Sequence, residues 1–202
     1  VRYIANRSSG SQGTAIAEAL SALGAAVTFV TGPADAERPR GGHVIEVQTA
    51  REMLEAVGSA LPADAAVFAA AVADWRVASA SDKKMKKDGT GTLPTLDFAE
   101  NPDILASTAA GRKRPTLLIG FAAETENVVE NAKSKRKRKG ADWIVANNVA
   151  GDVGESVMGG DLNQVFIVTA GGVESLPEIA KEDVAHELVL RLHEALVPVE
   201  ES

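Results

Sequence analysis

Val1-Arg2-Tyr3-Ile4-Ala5, Asn6-Arg7-Ser8-Ser9-Gly10-Ser11-Gln12-Gly13 and Thr14-Ala15-Ile16-Ala17-Glu18-Ala19-Leu20 follow one another directly at the start of the chain. They are a short β-rich run, a small-residue turn and a segment with apolar residues at helical spacing. The order reads as strand, Gly-rich loop, helix. In such a unit the loop N–H groups and the helix start converge on one point, where a phosphate or another anion can sit. Gly10 and Gly13 permit close backbone approach, and Asn6, Ser8 and Ser9 add side-chain donors. The full dinucleotide fingerprint G-x-G-x-x-G needs glycine where Ser8 stands. A plain structural turn accounts for the same residues.

Downstream the alternation repeats. Gly24 reads as the residue that ends the first helix, and residues 26–31 form a second buried strand closed by Gly32-Pro33. Residues 43–47 make a third strand. Thr49 and Glu52 have the spacing of a capping box, followed by an apolar face of Met53, Leu54, Val57 and Leu61. Residues 65–73 are an apolar run that ends in Asp74. Strands alternating with helices predict an α/β fold: one domain over 1–202 with a Rossmann-like, mostly parallel sheet and helices on both faces. Ligands of such sheets bind beyond the carboxyl ends of the strands, where the Gly10 loop, Gly32 and Asp74 all fall.

Residues 75–100 break the pattern, being rich in Lys, Asp, Gly and Thr without a helical period. A β-hairpin flap fits them, with Lys84-Met85-Lys86 in one arm and Leu96-Asp97-Phe98 in the other. Alternation then puts Lys84 and Lys86 on one face and Met85 and Lys87 on the other. Composition alone reads the same stretch as a solvated loop. Asn101 and Pro102 suit the N-cap and N1 positions of another helix. Residues 117–121 are a further buried strand, and the helix over about 128–139 carries a basic run in which Lys135 and Lys139 share a face. Beyond it come a strand at 142–147, a flexible loop at 151–160, a hairpin of 164–168 with 173–176 across Gly171-Gly172, and a closing amphipathic helix at 181–196.

Composition narrows the chemistry. The 202 residues include 45% hydrophobic and 24% charged, enough for a substantial core. With no cysteine, disulfides, thiolate metal sites and cysteine nucleophiles are excluded. His43, His186 and His193 form no metal-ligand pattern. A net charge of -7 argues against general nucleic-acid binding, whereas the clusters at 83–87 and 133–139 suit a small polyanion. No apolar stretch reaches the roughly 20 residues of a membrane span, and the start is no signal peptide, so a cytoplasmic location is the default. Because Val1 already lies inside a strand, the chain reads as a domain from a longer polypeptide.

A Gly/Ser loop, Asp74, a lysine flap, a capped helix start and a lysine-bearing helix around one sheet edge fit a nucleoside triphosphate, although the pattern G-x-x-x-x-G-K-[ST] is absent. In this setting VRYIANRSSG at 1–10, AAVADW at 70–75, KMKK at 84–87, NPDI at 101–104, GFAAET at 120–125 and the run from Lys135 to Lys139 with Ala146-Asn147 become recognisable. The chain closely resembles the phosphopantothenoylcysteine synthetase (phosphopantothenate–cysteine ligase) family over nearly its whole length. In most bacteria that domain follows a flavin-dependent decarboxylase in one bifunctional coenzyme A biosynthesis protein.

The resemblance implies a CTP-dependent ligase that joins 4′-phosphopantothenate to L-cysteine through an acyl cytidylate. It implies catalytic roles for Asn6 and Lys84, and nucleotide contacts at Phe68, Ala69, Ala70, Asp74, Lys84, Pro102, Asp103, Ile104, Leu105, Phe121, Lys135 and Lys139. Substrate contacts fall on Arg2, Asn6 and Ala71. Mg2+ is expected with CTP, flavin is not expected on this chain, and the implied partners are a second copy and a fused N-terminal decarboxylase, with no nucleic acid and no membrane. The loop departs from the family's habit at Ser11-Gln12. Two other readings stay open. A Rossmann-type NAD(P) oxidoreductase needs an acidic residue at the end of the second strand, where Thr31-Gly32-Pro33 stands with Asp35 only nearby. The other is a non-catalytic nucleotide-binding domain.

Overall fold

The computed structural model describes residue 6 and residues 8–79, 96–148 and 162–197. In chain order the elements are α1 (Ser11–Ala22), β1 (Thr28–Thr31), β2 (His43–Glu46), α2 (Ala50–Ala60), β3 (Ala65–Phe68), β4 (Trp75–Val77), β5 (Phe98–Glu100) and α3 (Ile104–Ala110). They continue as β6 (Leu117–Glu124), α4 (Val128–Lys139), β7 (Trp143–Asn148), β8 (Leu162–Asn163), β9 (Val165–Val168), β10 (Val173–Ser175), β11 (Ile179–Ala180) and α5 (Lys181–Leu196). The main sheet has the order β10-β9-β7-β6-β3. Its β3, β6 and β7 run parallel, and β9 and β10 continue it in antiparallel fashion. A second parallel pair, β1 with β2, lies outside that hydrogen-bonded ladder.

The long apolar runs of β6 and β7 follow from burial on both faces. Leu117 and Ile119 of β6, with Val145 of β7, join Ile16 of α1 and Val184 and Leu188 of α5 in one core cluster. Leu118 and Ala122, with Ile144 and Ala146, join Leu105 of α3 and Ala132 of α4 in the other. Each such fully buried aliphatic side chain contributes about 1.5–3 kcal/mol from removal of its surface from water. The α/β class, the parallel centre and the helices on both faces are as the alternation predicts.

Helix ends follow local chemistry. The Thr49/Glu52 capping box is present, with the Glu52 N–H donating to Thr49 Oγ1 at 3.2 Å and the Thr49 N–H donating to Glu52 Oε2 at 3.1 Å. The first helix stops as read, at Leu23 followed by Gly24. At the end of α4, Gly140 takes a left-handed φ of 68° while the Ala141 N–H donates back to Arg136 O at 3.1 Å, the Schellman pattern.

Several expectations are corrected. The N-cap of α3 is Asp103, whose Oδ1 accepts from the Ala106 N–H at 3.1 Å, and Pro102 lies before the helix. Asn101 is committed elsewhere: its N–H donates to Asp74 O at 2.7 Å and its Nδ2 to Ala73 O at 2.8 Å. That clasp sets the hairpin register from its base, with Trp75 opposite Glu100 and Val77 opposite Phe98. Phe98 faces Val77 and the Ala78 N–H donates to Asp97 O at 2.8 Å, so the arm containing Asp97 and Phe98 is a hairpin arm; Lys84-Met85-Lys86, expected in the other arm, lie outside the described residues. Only four residues of the run 65–73 are strand, because pairing with β6 ends where Phe68 meets Gly120. The hairpin of β9 with β10 forms as predicted. The opening strand at 1–5, the flap lysines at 83–87 and the loop at 151–160 lie outside the described residues.

Asp142 ties the helical layer to the sheet. Its Oδ2 accepts from the Leu118 N–H at 2.7 Å, and both carboxylate oxygens accept from Arg114 Nη2 at 2.9 Å. In Asp142→Ala the N–H of the fully buried Leu118 loses its acceptor. The expected cost is about 1–3 kcal/mol in urea denaturation; a change near zero would show that the bond is dispensable.

Candidate functional site

The carboxyl ends of β3 and β6 lie side by side, since Phe68 pairs with Gly120. From there the chain leaves β3 as an irregular segment, half-buried at Ala69 and exposed at Ala70, Ala71 and Asp74. Backbone carbonyls of this segment are held by two asparagines distant in sequence. Asn6 Nδ2 donates to Val72 O at 3.2 Å, and Asn101 takes Ala73 O and Asp74 O. Asn6 is thus brought beside Ala71, which sequence reading assigned to the same substrate. Its own side chain is exposed.

Beside the same strand ends stand α3 and α4. A side chain at Gly120 would put a Cβ 2.7 Å from Leu105 Cδ2 and 3.0 Å from Ile144 Cδ1, so glycine lets α3 rest directly against β6. Leu105 is buried in that contact and Ile104 is buried beside it in sequence, while Asp103 stays exposed at the helix start. Asp103 Oδ2 pairs with Lys139 of α4. One turn earlier, half-buried Lys135 donates from Nζ to the Phe121 carbonyl at 2.8 Å. Phe121, Asp103, Lys135 and Lys139 therefore converge, as the shared face of α4 led one to expect.

The electrostatics follow from these contacts. Burial alone raises the pKa of Asp103, but the hydrogen bonds from Lys139 and the Ala106 N–H, with the charges of Lys139 and Arg138, hold it below the usual carboxylate range. Burial pushes Lys135 below the ordinary lysine value; Lys139 and Arg138 act in the same sense, and Glu124 and Asp103 oppose them. Lysines that are balanced by neighbouring carboxylates can accept a polyanion by exchanging those partners. Among the described residues no group of three or more His, Asp or Glu is placed to hold a metal ion. Arg2 and Lys84 lie outside the described residues.

The opening turn is largely satisfied by itself. The Gly10 N–H donates to Ser8 Oγ and the Ser11 N–H to Ser9 Oγ, each at 3.3 Å, while Ser9 O accepts from the Ala36 N–H at 2.8 Å. These contacts favour the plain turn over the phosphate loop for Gly10. Sequence reading missed the Asp103–Lys139 pair and the Asn101 clasp. Asp ranks with Asn as an N-cap, so Asp103 was an available signal that Asn101-Pro102 masked.

The profile of the DNA/pantothenate metabolism flavoprotein C-terminal domain matches residues 1–196. The coenzyme A biosynthesis bifunctional protein CoaBC of Vibrio cholerae is 39% identical over 97% of this chain and 49% of its own length. CoaBC of Escherichia coli K12 is 41% identical over 90% of this chain and 45% of its own length. The chain thus spans about half the length of these curated relatives. A crystal structure of the C-terminal domain of CoaBC superposes with a TM-score of 0.77 at 34% identity, covering 97% of this chain and 87% of that one. With the profile matched across 1–196, the chain belongs to the DNA/pantothenate metabolism flavoprotein C-terminal domain family.

Proposed function

We propose that the chain is a phosphopantothenate–cysteine ligase of coenzyme A biosynthesis, using CTP to activate its acid substrate. The observation that supports this reading is that Lys135, Lys139 and Asp103 gather around Phe121 of β6, while Asn6 is bonded to the segment 69–74 that leaves the adjacent β3. The first group suits a phosphate chain and the second an acyl group joined to it.

In the first step the 4′-phosphopantothenate carboxylate oxygen attacks the α-phosphorus of CTP. The α–β phosphoanhydride bond breaks, and pyrophosphate leaves with its electron pair. In the second the cysteine amine attacks the acyl carbon, the carbon–oxygen bond to CMP breaks, and the amine releases its proton. Both reacting groups belong to substrates, so no enzyme nucleophile is required. In this reading Phe68, Ala69, Ala70, Asp74, Pro102, Asp103, Ile104, Leu105 and Phe121 line the nucleotide. Lys84 meets the negative charge that builds on the phosphoryl oxygens. Asn6 hydrogen-bonds the acyl phosphate, with Arg2 and Ala71 beside it. Mg2+ bound together with CTP would offset part of the charge on its phosphates. Flavin and decarboxylation are assigned to the half of the relatives that this chain does not span, and the active species is taken to be a homodimer.

Incubation with CTP, Mg2+, 4′-phosphopantothenate and cysteine should release pyrophosphate and yield phosphopantothenoylcysteine by mass spectrometry; a folded protein that releases neither overturns the reading. Lys84→Gln should lower cytidylate formation by at least about 100-fold in single-turnover assays. Asn6→Asp should slow amide formation more than cytidylate formation, and equal losses would count against its role. Because Lys135 titrates below an ordinary lysine, CTP affinity should fall with rising pH before the usual lysine range. In Lys135→Arg that fall should move to higher pH; an unmoved profile would detach Lys135 from the phosphates.

A further inference from the structure

Lys135, Arg138 and Lys139 sit at i, i+3 and i+4 on α4, so the three cations share one helical face. Two are engaged: Lys135 with the Phe121 carbonyl, and Lys139 with Asp103. Glu124 is close enough to act on Lys135. The two lysines and the two carboxylates therefore cancel, leaving the lysine end of the site with no net charge. Arg138 changes that balance. It is exposed, and among the described residues it has no ion-pair partner, whereas Lys133, Arg114 and Arg191 are each paired to carboxylates. Its charge is felt at both Asp103 and Lys135.

We infer that Arg138 is a further binding residue of this site, the cation that gives its lysine end a net positive charge and takes up the phosphate chain of a nucleoside triphosphate. The inference rests on the nucleotide-binding reading above and goes beyond its residue assignments. A guanidinium presents five donors in a planar fork and stays charged throughout the working pH range, which suits phosphate oxygens better than a third lysine would. Being exposed, Arg138 also acts before contact, drawing the polyanion towards Lys135 and Lys139. Its effect therefore scales with the number of phosphates.

Binding of CTP and of CMP, each with Mg2+, to the full chain by titration calorimetry tests this. Arg138→Gln should weaken CTP about 5- to 20-fold and CMP less than about 2-fold, with a smaller loss of CTP affinity on adding salt than in the parent protein. Arg138→Lys should stay within about 3-fold of the parent. Lys137→Gln removes an exposed charge that lies off the shared face and should leave CTP binding unchanged. Unchanged CTP binding in Arg138→Gln, equal loss in Lys137→Gln, or equal losses of CTP and CMP would each overturn the role of Arg138. Parent protein that binds no CTP would instead overturn the nucleotide reading itself. Matching thermal melts of parent and variants exclude unfolding as the cause of any loss.

Discussion

The close approach of α3 to β6 over Gly120 governs the geometry of the site. A seven-residue helix has little stability of its own, because the first turn fixes several residues for a single hydrogen bond. What holds α3 is burial of Leu105 against the sheet, and that burial is possible only where β6 carries no side chain. Asp103 is thereby delivered to Lys139, and its second oxygen is free to do this because its first one caps the helix. Backbone spacing in the core and charge placement at the rim are one constraint.

The Asp103–Lys139 pair and the Lys135–Phe121 bond keep two long side chains from ranging through solvent. Ordering such chains at the moment of binding costs about 0.5–1.5 kcal/mol each, and the existing contacts impose much of that order beforehand. The pair is only partly buried, with side-chain exposures of 23% for Lys139 and 40% for Asp103, so its net strength is small and a phosphate can replace the carboxylate. The asparagine bonds to Val72, Ala73 and Asp74 give an irregular segment fixed carbonyl directions. One part of the site is ordered by charge and another by neutral hydrogen bonds.

Periodicity made the layered architecture legible, because runs such as 117–121 and 142–147 are apolar on both faces and only a covered parallel sheet buries both. Caps built from neighbouring residues, such as Thr49 with Glu52, were legible for the same local reason. The start of α3 was not. Asn101 and Asp103 both satisfy N-cap preference, and the choice between them was made by Asp74 and Ala73, which engage Asn101 from 27 or 28 positions away. The register of the hairpin base, Trp75 opposite Glu100, follows from that long-range clasp and has no local signature. At the site, the shared face of Lys135 and Lys139 was visible as spacing. Their partners, Phe121 and Asp103, depend on how α4 crosses the sheet, which no local pattern encodes.

The left-handed turn at Gly140 sets the angular phase of α4. Immediately after it, Asp142 is gripped by Leu118 and Arg114, so the helix is anchored in rotation at its carboxyl end. Each residue of an α-helix advances the direction of its side chains by roughly 100°. Adding or deleting one residue between Lys139 and Asp142 would swing the cationic face a quarter-turn or more away from the strand ends while leaving the helix itself intact. Chain length across this two-residue join is therefore under tighter constraint than the identities of the exposed residues on the far side of α4.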